Sequence, residues 1–164
     1  MSLFFSAKSY AKNPSNIDAM MAFMEALAQE KSVDEITKIL RLDFERIAGP
    51  ALSRLTDLLP LDVDLLLSIA LWKYHFGLDE DAHKYLDRAK DIAPFDLRVV
   101  QLEIFFSYGD DLGHILSLCQ SALSLFPEDE WISVVKRRIE QTGRLTELDG
   151  PPLNLRWQKL LLTE

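Results

Sequence analysis

Three prolines, Pro60, Pro94 and Pro127, lie 34 and 33 residues apart, and each closes a stretch with helical periodicity. Proline lacks a backbone N–H and its ring clashes with the preceding turn, so each marks a helix boundary. The interval leaves room for two helices and two short turns. The spacing therefore predicts helices at about 62–76, 79–92, 96–108, 111–125 and 128–142, with a weaker one near 154–162. Acidic residues stand at the starts of the five stronger ones: Asp62 and Asp64, Asp79 to Asp81, Asp96, Asp110 and Asp111, and Glu128 to Glu130. Negative charge there complements the unpaired N–H groups and the dipole. No strand is expected, because Val99-Val100 is short and sits inside a helical pattern.

Upstream of Pro60 the signals are looser. Residues 1–14 show no clear period and read as a lead-in. Ser15 or Asn16 caps a first helix in which Ile17, Met20, Met21, Met24 and Leu27 recur at three- and four-residue spacing. Ser32-Val33-Asp34-Glu35 has the form of a capping box, followed by an apolar stripe of Ile36, Ile39, Leu40 and Ile47. Gly49-Pro50 is expected to end that helix and start a third, with Leu52, Leu55, Leu58 and Leu59 facing inward.

With Leu66, Ile69 and Ala70 in one helix, Gly77 at a turn, Ala82, Leu86 and Ala89 in the next and Pro94 at its end, residues 63–96 resemble the tetratricopeptide repeat family. Leu66, Ile69 and Ala70 stand at the apolar and small positions of the first helix, and Gly77 at the turn. Ala82, Leu86, Ala89 and Pro94 stand at the small, bulky, small and terminating positions of the second. In the next unit Cys119, Ala122, Leu125 and Pro127 keep register, while Gly109 is out of step with Gly77 by two residues. The resemblance implies an all-α fold, with antiparallel helix pairs stacked as a short right-handed solenoid. Residues 1–164 are read as one domain: N-terminal helices with a degenerate repeat over 1–61, two repeat units over 62–127, and a capping helix and tail over 128–164.

Composition narrows the function. A net charge of −8 repels phosphate backbones and disfavours a nucleic-acid partner. No apolar run approaches a membrane span of about 20 residues, and the short Leu3–Phe5 run does not make a signal peptide. The single cysteine, Cys119, allows no intrachain disulfide, so a cytoplasmic location is the expectation. His75, His83 and His114 lack metal-ligand spacing, Cys119 lies in a different helix from all three, and no Gly-rich phosphate loop is present. Neither an enzyme, a metal site nor a cofactor is expected. A helix-turn-helix over 32–59 is weakened by Gly49-Pro50 and by having only Arg46 and Arg54 to meet DNA.

What the resemblance implies is a groove for a protein or peptide, lined by the first helix of each unit. Carried onto this chain, its positions are Asp64, Leu67, Ser68, Leu71, Tyr74 and His75, then Val100, Gln101, Ile104 and Tyr108. Relatives that clamp a terminal carboxylate use lysine and asparagine at such positions. Leucines here imply an apolar groove with tyrosine hydroxyls at its edge. The alternative is that N-terminal helices fold over these side chains. The implied role is an adaptor or chaperone-like holder. Size, acidity and central repeats are also similar to the small chaperones that hold type III secretion translocators before export. An immunity-type inhibitor of a toxin and the helix-turn-helix regulator remain other readings, and a homodimer through the N-terminal helices stays open.

Overall fold

The computed structural model describes residues 2–145 and 150–157, and these residues form helices, turns and extended chain without a strand. The chain divides between Asp62 and Val63 into two compact units. In the first are α1 (Leu3–Lys12), α2 (Ile17–Gln29), α3 (Val33–Ile39) and α4 (Phe44–Leu58). In the second are α5 (Val63–His75), α6 (Asp79–Ile92), α7 (Leu97–Phe106), α8 (Leu112–Leu125) and α9 (Glu130–Thr142). The five helices predicted after Pro60 are present close to the expected bounds.

One joint is built four times. In Asn13-Pro14-Ser15-Asn16, Leu59-Pro60-Leu61-Asp62, Ala93-Pro94-Phe95-Asp96 and Phe126-Pro127-Glu128-Asp129, a helix ends before the proline and a new one starts after the Asn or Asp. The residue before each proline leaves the helical region, with φ between −142° and −125° and ψ between 60° and 75°. Crowding by the proline ring disfavours helical ψ at that position. Each turn is closed by the Asn or Asp N–H donating to the carbonyl of the pre-proline residue, at 3.1–3.2 Å. Asn16, Asp96 and Asp129 then cap α2, α7 and α9 through their side chains. Gly77 ends α5 differently. At φ 75° it accepts the left-handed conformation of a Schellman motif, in which Gly77 N–H donates to Tyr74 O and Leu78 N–H to Lys73 O.

In the first unit two expectations are corrected and another gains detail. Residues 3–12 are helical: Ser2 caps α1, and Leu3, Ser6 and Ala7 are buried on one face while Tyr10 stacks on Phe23 at 5.1 Å. Small residues on that face hid its period. Second, α2 buries Phe23 and Leu27, whereas Ile17 (66%), Met20, Met21 (61%) and Met24 are exposed. The apolar band of α2 is wider than the face it packs: of the five residues that recur at helical spacing, Leu27 is the buried one. Third, Gly49-Pro50 does not interrupt the chain. Asp43 caps Arg46 N, and α4 runs through Pro50. The missing N–H leaves the Arg46 carbonyl unpaired within the helix, but Arg46 and Gly49 are exposed and water reaches that side. Ile47, Ala48, Ala51, Leu52 and Leu55 are fully or almost fully buried on the other side and hold the helix together.

The two arginines proposed to meet DNA are engaged within this unit. Arg46 donates to Ala11 O and Asp43 Oδ2, and Arg54 donates twice to Glu30 O at the end of α2.

In the second unit each helix packs on its successor, and α5 also packs on α7. Leu66, Leu67, Ala70 and Leu71 of α5 share a core with Ala82, Leu86 and Ala89 of α6 and with Val99, Leu102 and Phe106 of α7. Small residues on α6 let the helices approach, and Leu86 fills the space between them. A second core joins Ile104, Ile115, Cys119, Ala122, Ile132, Val135 and Ile139 across α7, α8 and α9.

Because Pro50 stands in the interior of α4, Pro50→Ala restores one helical hydrogen bond. We expect the variant to gain roughly 1 kcal/mol or more, less than the full interior proline penalty because proline also restricts the unfolded chain. Urea unfolding followed by circular dichroism measures it.

Candidate functional site

Residues 150–157 lie against α5 and α7. Their burial alternates: Leu153 is half-buried, Asn154 exposed, Leu155 buried, Arg156 exposed and Trp157 buried. The inward face thus recurs every second residue over Leu153 to Trp157, while the backbone itself turns at Arg156 and Trp157. Leu155, 4% exposed, belongs to the core formed with Leu67 and Leu71, and Leu153 packs against that core. Gly150 sits on the ring of Phe105, where an added Cβ would come within 3.3 Å of Cζ. The expected helix near 154–162 is absent over 154–157; the remainder lies outside the described residues.

Asp64, in the first turn of α5, holds this segment by its backbone. Its Oδ2 accepts from Arg156 N–H at 2.9 Å and its Oδ1 from Trp157 N–H at 3.3 Å. Arg98, near the start of α7, points Nη1 at Asp64 Oδ2 (3.4 Å) and gives Nε and Nη2 to the two carboxylate oxygens of Asp96 (3.1 and 2.8 Å). The chain Asp96–Arg98–Asp64 thus ties two helix starts to the incoming main chain. Above it, the Arg156 guanidinium lies over the Trp157 ring at 5.1 Å.

Aromatic rings extend this face. Tyr74 stacks on Phe106 at 4.4 Å and tilts against Phe105 at 5.2 Å. Phe105 meets Tyr108 edge-on at 5.2 Å, and Tyr108 lies parallel to Trp131 of α9 at 6.4 Å. Burial, then the charge of Asp79, raises the Tyr74 hydroxyl above its ordinary pKa. Burial does the same more strongly to Tyr108, whose hydroxyl has no hydrogen-bond partner among the described residues. It is therefore not at a wet groove edge.

The expected groove positions divide into three groups. Asp64, Leu67, Leu71 and Tyr74 are brought together on the face that the 150–157 segment or the aromatic rings cover. Ser68 is buried and donates to Asp64 O within its own helix, while His75 is exposed at the end of α5. Val100 and Ile104 turn the other way and line a cleft of about 200 Å³ with Leu118, Ser121, Ala122 and Leu125 of α8. Gln101 is buried and donates to Asp129 Oδ1 at 3.1 Å, bracing the start of α9. The residues that α7 adds to the face are Phe105 and Arg98, one position after Ile104 and two before Val100. Signals for the segment itself were available in the alternation Leu153-Asn154-Leu155-Arg156-Trp157.

Cys119 is buried in the second core, which pushes its thiol up to about 11 although Lys136 acts in the opposite direction. A thiol so placed is a poor nucleophile near neutrality. Among the described residues no three His, Cys, Asp or Glu side chains converge as a metal site. No helix among them is long and apolar enough to cross a membrane.

The side-chain bonds from Arg98 hold the Asp96 carboxyl below its ordinary pKa, against a smaller opposing effect of burial. The unfolded chain therefore binds more protons as pH falls below about 4, and the stabilisation present above that pH is lost as the folded carboxyl titrates. Asp96→Asn is expected to flatten this acid limb. Urea midpoints between pH 2 and 6 give the slope. At the other end, Cys119, Tyr74 and Tyr108 all titrate higher in the fold than free in solution. Their neutral forms stabilise the fold below the unfolded pKa values of about 9–10, and this is lost as pH rises.

Comparison with protein-family models, with curated proteins and with solved structures gives no match for this chain.

Proposed function

We propose that the chain is a non-catalytic, tetratricopeptide-like module that holds an extended segment of a partner protein on the α5–α7 face. In this reading α5 to α9 stack as helical hairpins in a short right-handed solenoid, and the first helices of successive pairs supply the gripping surface. The observation that carries it is that this face already receives non-helical chain: Asp64 takes two consecutive main-chain N–H groups at a turn while Leu155 enters the apolar core. Main-chain bonds supply affinity, and inward-facing side chains supply selectivity.

Three further features favour it. The prolines recur at a period near 34 residues, and their joints share one backbone geometry. Small residues at Ala82 and Ala89 occupy the close helix approach that such repeats use. Tyr74 and Phe105 present aromatic surface beside the apolar core, and aromatic side chains are enriched at protein interfaces.

The test is affinity capture from native extract with the chain and with a Tyr74→Ala, Phe105→Ala variant, partners being identified by mass. We expect the variant to lose the specific partners by about tenfold, the scale of removing interface aromatics. A variant with native circular dichroism that keeps every partner would overturn the assignment.

A further inference from the structure

Residues 150–157 meet the α5–α7 face through few directional bonds for a piece of core. Pro151 and Pro152 have no N–H to give, and Leu153 N–H is turned back to Pro151 O at 2.9 Å. Among the described residues, this segment's backbone donates to the helices twice, from Arg156 and Trp157 to Asp64. Both are independent of side-chain identity, apart from excluding proline. Selectivity is left to the inward positions, where Leu153, Leu155 and Trp157 stand two residues apart in turn. The helices beneath close on one another without the segment, through Leu66, Ala82, Leu86, Ala89, Val99 and Leu102.

We propose that residues 150–157 are an internal stand-in for the partner. The natural occupant is a non-helical protein segment with two leucine-like residues separated by one outward residue. Two non-proline residues follow, whose N–H groups reach Asp64, and this occupant enters by displacing the tail. The proposal rests on the binding reading above and adds the chemistry of the ligand and a competition built into the chain. The partner's affinity is then reduced by the fraction of molecules whose face is open. Partner binding also frees Arg156 and Trp157 for solvent. An acidic carboxylate holding backbone amides suits an ordinary internal segment, and does not require a free chain end.

The test uses the full chain and a fluorescein-labelled peptide of the sequence Gly-Pro-Pro-Leu-Asn-Leu-Arg-Trp, read by anisotropy. Leu155→Ser weakens the internal occupant, so the variant is expected to bind the peptide about tenfold or more tightly than the unsubstituted chain. A peptide with serine in place of its second leucine is expected to bind neither. Should Leu155→Ser fail to fold, Leu153→Ser at the half-buried position serves instead, with a gain of about threefold. Equal binding by both chains overturns the competition, and no binding by a natively helical variant overturns the stand-in. If partners captured from extract still depend on Tyr74 and Phe105 in either case, the binding reading survives and only this inference falls. If that dependence is absent too, both fall.

Discussion

Every residue from Leu65 to Leu71 of α5 is buried, including Ser68. A helix apolar around its circumference cannot lie on a surface; it must be enclosed. In the second unit α6 and α7 enclose part of it through the Leu66–Leu86–Leu102 core, and the 150–157 segment with Leu155 covers more. Ser68 survives inside because its hydroxyl donates to Asp64 O one turn back, which costs the core no unpaired group. The arrangement of this unit follows from the need to surround one helix. The face proposed for binding is one side of that enclosure.

Docking of the segment is a balance of similar terms. Burial of Leu155, Trp157 and part of Leu153 contributes roughly 2 kcal/mol each, and bonds to the Asp64 carboxylate about 1.5 kcal/mol apiece. Ordering the backbone opposes this by about 1 kcal/mol per residue, less for the two prolines. Neither side dominates, which separates this segment from the helices, whose ladders and cores are continuous. The charged triad Asp96–Arg98–Asp64 is half-exposed and is read as an orienting device more than as a source of stability.

Much of the helical order was legible because proline and a following Asn or Asp punctuate it, and those joints are local chemistry. Other elements depended on tertiary facts. α1 buries Ser6 and Ala7, too small to mark a stripe, and becomes helical against Phe23 of α2. α4 tolerates Pro50 because the affected carbonyl faces solvent. For the candidate site, Asp64, Leu67, Leu71 and Tyr74 of α5 come together on one face, whereas Ser68 and His75 do not join it. In α7 the helix is three residues shorter than α5 and Gly109 lacks a left-handed backbone, so family spacing selected Val100 and Ile104 instead of Phe105. Over 154–157 the leucine and tryptophan burial alternates where a helical count was expected, and the rest of that expected helix lies outside the described residues.

The methionines tell a separate story. Met20, Met21 and Met24 all lie on the exposed half of α2, and no methionine is found in the core among the described residues. Peroxide would therefore meet thioethers at the surface first, turning an oily strip into a row of sulfoxides without opening a cavity. The chemical hardness of the interior and the softness of this strip make oxidation a way to change how sticky the molecule is while leaving its architecture alone.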